Sequence, residues 1–183
     1  MAIDAFLQFT KEGSAGEKVE GESQDAFFGK GGQTPACFEL QNWDFGTTNA
    51  ASISSATMGA GSGKATFNPF HIVKTIDNGT PALFKTLCQG GHYPELTLWI
   101  RKAGGQKGSA GDWYLQWKFA MAFVQEINWS HADPAPTEDV KFVYGAIQFS
   151  YRQQKPDGSI DKSPKETAWS QVLNNNTFVV PGN

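Results

Sequence analysis

The chain has 183 residues, of which 39% are hydrophobic, 18% charged and 13% aromatic, and its formal net charge is −3 at neutral pH. This length and composition fit a single folded domain, residues 1–183, and exclude an intrinsically disordered chain. The small negative charge gives no electrostatic basis for binding nucleic acid or an anionic membrane, and no run of about 18 apolar residues is present that could span a bilayer.

The N-terminal stretch MAIDAFLQFTKEG predicts a first short strand at residues 2–9. It lacks the basic segment and the long apolar core of a secretory signal peptide, so we expect the protein to be made and folded in the cytoplasm. A mostly polar, glycine-rich stretch at residues 11–33 separates this strand from a second one in CFELQNWDF, residues 37–45.

Small side chains dominate the next stretch, GTTNAASISSATMGAGSGKAT, residues 46–66. It has almost no large apolar residues and therefore cannot build a core by itself, which predicts a long exposed loop at about residues 46–64. A third strand is expected in ATFNPFHIV, residues 65–73, where Pro69 indicates an edge position or a bulge.

One helix is predicted in NGTPALFKTLCQGG, at about residues 80–89. Thr80 is expected to cap its first N–H groups, Pro81 suits the first helical position, and Gly90 or Gly91 can take the left-handed conformation that ends a helix. A helix of two to three turns is not stable alone, so it should dock on the sheet. The apolar stripe expected to make that contact comprises Leu83, Phe84, Leu87 and Cys88.

The remaining apolar residues recur with a period of two, the spacing of strands. In PELTLWIR, the residues Leu96, Leu98 and Ile100 should face the core. In WYLQWKFAMAFVQEINW, residues 113–129, every second residue is apolar almost throughout, so one face of this strand is apolar. Core positions are expected there at Trp113, Leu115, Trp117, Phe119, Met121, Phe123, Ile127 and Trp129.

A further strand follows in VKFVYGAIQFSY, residues 140–151, in which Gly145 is placed where a bulge could switch faces. The turn KPDG at residues 155–158 leads into a last short strand around Trp169. The predicted fold is all-β and mainly antiparallel: a closed or nearly closed barrel of two curved sheets with one short flanking helix.

No stretch of the chain carries a catalytic or metal-binding motif. MGAGSGKAT fails as a phosphate-binding loop because Met58 replaces the first glycine and Ala65 the final Ser or Thr. The three histidines form no HxxxH pair, and residues three apart on a strand, such as His92 and Glu95, point to opposite faces. We therefore predict no catalytic residue, no cofactor, no metal and no enzymatic activity.

Two cysteines, Cys37 and Cys88, lie far apart and outside any CxxC spacing. Two buried thiols are expected, with a disulfide between them as the alternative.

Six tryptophans in an all-β chain raise a second function, binding of a carbohydrate or another ligand through Trp43 and Trp99. Trp99 lies on the otherwise polar face of its strand, beside Thr97 and Arg101. A large aromatic ring there is expected to contact either a partner surface or another part of the same chain.

Four motifs in a fixed order carry a resemblance to a known family. They are K-x-I-D-x-x-T-P at residues 74–81, G-x-H-Y-P at 90–94, I-R-K-A-G-G at 100–105 and Q-x-x-Y-x-x-Q-K-x-D-G at 148–158. Together they resemble the haemolysin-coregulated protein (Hcp) family of bacterial type VI secretion systems, over nearly the whole chain.

The resemblance implies a β-barrel with one flanking helix that assembles into hexameric rings. The rings stack into a tube inside a contractile sheath, carry a VgrG-like spike protein at the tip, have baseplate proteins as further partners, and are expelled from the cell without a signal peptide. Small effector proteins are carried in the lumen. No nucleic acid and no membrane insertion belong to this role. The fold is similar to that of phage tail tube proteins, so a phage-tail-tube-like protein is a further alternative.

The glycine-rich loop matches the position of the family's extended loop, which resembles an arm reaching a neighbouring subunit or the next ring. The residues expected to make subunit or ring-stacking contacts are Gly46, Thr47, Thr48, Ser52, Ile53, Met58, Ala60, Gly61, Lys64 and Trp99.

Overall fold

A computed structural model describes residues 3–10, 12–14, 16, 18–29, 32, 36–54, 59–102, 113–131, 133–155 and 159–183. Within these residues the chain forms ten strands and one helix. In chain order they are β1 (Ile3–Phe9), β2 (Phe38–Glu39), β3 (Asn42–Asp44), β4 (Thr47–Ser54), β5 (Gly59–Phe67), β6 (Phe70–Thr75), α1 (Thr80–Gln89), β7 (His92–Lys102), β8 (Trp113–Ser130), β9 (Thr137–Tyr151) and β10 (Lys165–Ser170).

Eight strands join into one antiparallel sheet in the order β2-β1-β7-β8-β9-β6-β3, with β10 paired to β9. One side of β9 pairs with β8, while its other side pairs with β6 along its first half and with β10 along its second. Strands β4 and β5 form a second sheet of two strands. The predicted fold class, all-β and mainly antiparallel with one short helix, is confirmed.

The two ends of the large sheet are joined by a single short segment of chain, because β2 and β3 are separated only by Leu40 and Gln41. The Leu40 N–H donates to the Ala5 carbonyl of β1 at 2.9 Å, and the Gln41 N–H donates to the Val73 carbonyl of β6 at 2.8 Å. The same segment thus hydrogen-bonds to both ends, and the sheet curls into a nearly closed barrel.

The main hydrophobic core receives side chains from seven elements, β1, β2, α1 and β6 to β9. The predicted alternation of β7 is confirmed, since Leu96, Leu98 and Ile100 are buried in this core. Near its centre the rings of Phe70 and Phe119 stack with centroids 4.3 Å apart. Burial of side chains this large supplies most of the free energy that holds such a barrel folded.

Strand β8 does not keep the single apolar parity that its sequence indicates. Phe119 is buried in the core as expected, but Met121 adopts a φ of +52°, and from there Ala122 and Val124 face the core instead. A register shift between Val124 and Glu126 then reverses this change, so that the odd-numbered residues are again on the core side. The prediction was therefore wrong for Phe123. Two irregular positions decide the faces of the strand, and neither has a distinctive sequence signal.

Three further core predictions fail at other positions of β8. The Met121 side chain packs against Ala120, Ala146 and Val180, outside the main core. The Trp113 ring lies against Trp99, and Trp129 near the end of the strand is half exposed.

The start of α1 is fixed by a buried ion-pair network and not by the predicted cap. Gly79 is the N-cap, and the Thr80 hydroxyl donates to the Glu138 carboxylate at 2.7 Å. Lys74 Nζ lies 2.6 Å from Glu138 and 2.7 Å from Asp77, with all three side chains largely buried. Burial raises the pKa of Asp77. Residues 74–81 therefore hold the helix on the barrel through charge pairing below its first turn.

The end and the packing of α1 match the sequence prediction in part. Gly90 has a φ of +67° and ends the helix, as expected. Leu83 is buried and Leu87 packs against the core. However, Phe84 and Cys88 are exposed, because the buried face also includes Thr86.

The loop expected at residues 46–64 is a β-hairpin instead. Strands β4 and β5 pair in antiparallel register from Thr47 opposite Phe67 to Ser54 opposite Gly59. The Asn68 N–H donates to the Gly46 carbonyl at 2.9 Å and closes its base. Backbone pairing needs no large side chains, so two strands of mostly small residues leave no period-two apolar pattern in the sequence. We call residues 46–67 the arm.

Candidate assembly surfaces

The arm holds nine of the ten residues predicted to make subunit contacts. Gly46 lies at its base, and eight of them lie in or between its strands. Thr47, Thr48, Ser52 and Ile53 belong to β4, and Ala60, Gly61 and Lys64 belong to β5. The pairing brings Ser52 opposite Gly61 and Ile53 opposite Ala60. Met58 lies outside the described residues.

Each strand of the arm has a strand partner on one side only, since no third described strand flanks β4 or β5. Thr47, Thr48 and Lys64 are exposed. An outer strand edge carries backbone N–H and C=O groups that can pair with another chain, and natural proteins usually cover or block such edges. Small side chains, as in this arm, allow a second surface to approach closely.

A histidine joins the base of the arm to the large sheet. His71 Nδ1 lies 2.7 Å from Asp44 Oδ2 of β3, and His71 Nε2 lies 3.1 Å from Asp139 Oδ1 of β9. Burial lowers the pKa of His71, but the two carboxylates outweigh that effect and raise the pKa above its ordinary value.

Trp99, the tenth predicted contact residue, packs within its own chain. Its ring contacts Phe28 at a centroid distance of 6.1 Å and Trp113 at 5.3 Å. It belongs to a small cluster with Phe6, Phe28 and Cys37, on the face of β1 and β7 opposite the main core. Its indole Nε1 is buried without a hydrogen-bond partner among the described residues. A contact of Trp99 with another subunit stays a prediction.

The described residues of the stretch 18–37, which we call the cover, produce this burial. Phe28 is fully buried and stacks on Phe6 with ring centroids 4.3 Å apart. The Gly21 N–H donates to the Ala36 carbonyl, and the Cys37 N–H donates to the Phe28 carbonyl at 3.1 Å. A stretch that appeared mostly polar in sequence therefore packs on the barrel through a few large rings.

An arginine fixes the cover to the outer face of the sheet. The Arg101 guanidinium donates to both carboxylate oxygens of Asp25 in the cover, at 3.1 and 2.7 Å, and to Asp4 of β1 at 2.9 Å. It also lies over the rings of Phe6 and Phe28. Burial raises the pKa of Asp25, but hydrogen bonds from Arg101 and from two backbone N–H groups outweigh it, so the pKa is lowered.

One exposed aromatic pair was missed by the sequence analysis. The rings of Phe84 on α1 and Trp129 on β8 lie 5.7 Å apart, and the two residues are 47% and 50% exposed. The Trp129 Nε1 donates to the buried carboxylate of Glu138 at 3.1 Å, which fixes the ring in place. The sequence pattern assigns Phe84 to the buried stripe of the helix and Trp129 to the core face of its strand, but Phe84 lies on the exposed side of α1 and Trp129 near the exposed end of β8.

The side chains considered for chemistry lie apart from one another. The His92 ring contacts Phe123, while Glu95 forms an ion pair with Lys118 at 3.5 Å. In the part of the chain that the structure describes, no group of three His, Cys, Asp or Glu residues could hold a metal ion. The Trp43 ring, named for carbohydrate binding, packs on Phe45 and Trp117 at the edge of the core.

The cysteines correct the expectation of two buried thiols. Cys37 is buried, and burial followed by the nearby Asp25 carboxylate raises its pKa to about 12, whereas Cys88 is exposed on α1. The two form no disulfide with each other. Over the described ranges, no helix is both long and apolar enough to cross a membrane.

Comparison with known proteins agrees with this architecture. A family model described as "Type VI secretion system effector, Hcp" matches residues 6–151. The protein hcp1 of Pseudomonas aeruginosa is 31% identical over 109 residues, which cover 58% of this chain and 65% of that protein. The matched part is thus just under two thirds of the relative's length.

Solved structures share the fold across nearly the whole chain. A structure described as a type six secretion system protein has a TM-score of 0.80 at 23% identity, and covers 96% of this chain and 100% of its own. Hcp1 from Salmonella typhimurium has a TM-score of 0.69 at 20% identity, with coverage of 97% and 100%. The family match, the relative and the shared fold together show that this chain belongs to the Hcp family of type VI secretion system proteins.

Proposed function

We propose that the protein is a tube subunit, six copies of which close head to tail into a ring, and that the rings stack into a tube. In this role its partners are other copies of itself, a VgrG-like spike protein, contractile sheath and baseplate proteins, and small effector proteins carried in the lumen. The tube assembles in the cytoplasm and leaves the cell through the type VI system. Catalysis has no part in the role.

The arm is the observation that carries the proposal. Strands β4 and β5 form a sheet of their own, and the eight residues of β4 give a reach of about 26 Å at about 3.3 Å per residue. A ring built from identical subunits needs two different complementary surfaces on each copy. A hairpin with an outer strand edge on each side supplies one of them, since its backbone can pair with a strand of the next copy.

The arm's composition supports the same role. Thr47, Thr48 and Lys64 are exposed, and the arm as a whole has few large side chains. A hairpin of this kind gains little stability from its own side chains. Burial of the hairpin against another subunit would supply the missing stability. No observation favours carbohydrate binding in the same way, because the Trp43 and Trp99 rings both pack within the chain.

The experiment introduces a charge into the arm with Ala60→Asp. The matched control, Gln89→Asp, adds the same charge at an exposed position of α1. Light scattering and negative-stain electron microscopy are expected to show six-fold rings and stacks for the wild type and the control. The Ala60→Asp protein should keep its circular dichroism spectrum and lose stacking or secretion.

Two results would overturn parts of the proposal. A wild-type protein that is monomeric at high micromolar concentration, with no rings in the images, would remove the tube function itself. Rings, stacks and secretion that are normal in Ala60→Asp would leave the tube function standing but remove the arm from its interfaces.

A further inference from the structure

The hydrogen bonds of His71 require a particular protonation state. Both ring nitrogens face carboxylate oxygens, Nδ1 that of Asp44 and Nε2 that of Asp139. A neutral imidazole carries one N–H and one lone pair, so it can donate to only one of them, and its lone pair would face the other carboxylate. An imidazolium ion donates to both. The geometry therefore fits the protonated ring.

His71 lies at the base of the arm. Asp44 is the last residue of β3, directly before the arm, and His71 is the second residue of β6, shortly after it. The two are cross-strand partners. Asp139 on β9 is the third member and belongs to the central part of the large sheet. The imidazole thus ties together the chain entering the arm, the chain leaving it and the barrel.

The other charged groups around the ring are already paired with each other. Lys141 of β9 lies opposite His71 across the sheet, and its Nζ contacts Glu126 of β8 at 2.9 Å. That hydrogen bond lowers the pKa of Glu126 and raises the pKa of Lys141. Near neutral pH the group of this cluster that changes charge is therefore His71, because an imidazole ordinarily titrates at a pKa of about 6.5.

We propose that His71 is a pH-sensitive latch that fixes the base of the arm when protonated and releases it when neutral. β3 is only three residues long and the Asp44 side chain is 68% exposed. Loss of one charge-assisted hydrogen bond therefore weakens this edge more than it weakens the central strands. The latch is a property of each subunit and does not depend on whether rings form.

The direction of the effect follows from the two protonation states. The folded chain holds the proton on His71 more tightly than an unfolded chain, in which a histidine has a pKa of about 6.5. The stabilisation is therefore complete below about that pH, and it is lost as the pH rises through the higher folded value. The arm's base is held under mildly acidic conditions and loosened under alkaline ones.

Hydrogen exchange with mass spectrometry tests the latch on the full-length protein. Labelling is done at about pH 5.5 and about pH 8.5, with times scaled to equalise intrinsic exchange, at a concentration where light scattering gives the same mass at both. For residues 42–48 in the wild type we expect scaled exchange about tenfold faster at the higher pH. Residues 96–101 of β7 should show no such change.

Variants separate the latch from a general pH effect. His71→Gln and Asp44→Asn should exchange fast at residues 42–48 at both pH values, so the difference disappears. His131→Gln makes the same chemical change at an exposed histidine away from the arm and should behave as wild type. The latch is overturned if the wild type shows no pH difference there, if β7 changes equally, or if His71→Gln keeps the wild-type difference.

Discussion

The cover and the arm are two glycine-containing excursions of the sequence, and the structure treats them in opposite ways. The cover lies against the barrel, with Phe28 fully buried and Asp25 held by Arg101. The arm pairs only with itself among the described strands. Glycine content is similar in both stretches, but the cover carries more charged residues than the arm. What separates them is a few large or charged side chains that find partners on the sheet.

The two regions therefore differ in where their stability comes from. Full burial of a phenylalanine is worth about 1.5 to 3 kcal/mol relative to leaving it exposed, and the cover has Phe28 stacked on Phe6 and near Trp99. The arm has backbone hydrogen bonds between β4 and β5 and the hydrogen bond that closes its base, and at that base its last residue, Phe67, packs against the core beside Tyr144. Changes in the cover should lower the free energy of unfolding, and equivalent changes in the arm should not.

The largest effect is expected from Phe28→Ala. Removing a fully buried ring leaves a cavity next to Phe6 and Trp99, and such substitutions cost about 3 to 5 kcal/mol. Urea unfolding followed by tryptophan fluorescence measures the loss. Thr48→Ala, at an exposed position of β4, is the control and should stay within about 0.5 kcal/mol of wild type. A loss below about 1 kcal/mol for Phe28→Ala would mean that the cover is not part of the folded core.

A pair of glycine substitutions gives the next effect. A Cβ at Gly21 in the cover would lie 2.1 Å from the Cys37 carbonyl oxygen, whereas a Cβ at Gly46 in the arm meets only the Asn68 side-chain nitrogen, at 3.2 Å. Backbone cannot give way as a side chain can, so Gly21→Ala should cost about 1 to 3 kcal/mol and Gly46→Ala about 0.5 kcal/mol or less. Thermal unfolding of the two variants measures both, and equal costs would contradict the difference between the regions.

The sequence predicted the regular parts of the fold because those parts follow simple periods. The alternation in β7 placed Leu96, Leu98 and Ile100 in the core, and Gly90 ended the helix as expected. Where a strand has two irregular positions, the alternation of apolar residues in the sequence no longer shows which side chains face the core. Met121 and the register shift after Val124 each change the face of β8, which explains why Phe123, between them, was wrongly assigned to the core.

The arm and the cover escaped prediction for a different reason. A hairpin built mostly of small side chains has no apolar period, so the β4–β5 pairing left no pattern to find. The cover has its anchors, Phe28 and Asp25, within a polar stretch, and their partners Phe6 and Arg101 come from distant β1 and β7. Contacts between residues so far apart in the chain are set by the folded sheet and not by local sequence. The same holds for the His71 pairs with Asp44 and Asp139.

Only a small effect on stability is expected even when most of the arm is removed. Asn49 and Ala65 are cross-strand partners, so residues 50–64 can be replaced by Asn-Gly, the turn that two-residue hairpins prefer. Because the arm forms a separate sheet, the shortened protein should unfold within about 1 kcal/mol of wild type, which is far less than Phe28→Ala costs. Unfolding is followed at several protein concentrations to separate it from subunit dissociation.

The same shortened protein also distinguishes a structural arm from an assembly arm. If the arm acts between subunits, the protein keeps its circular dichroism spectrum and its unfolding free energy while rings or stacks disappear from electron micrographs. If the barrel itself needs the arm, the free energy of unfolding falls by several kcal/mol and assembly is lost with it. Only the first result fits a hairpin whose strands pair with no strand of the large sheet. Such a region adds little to the fold of one subunit, but it can still provide the contact between two subunits.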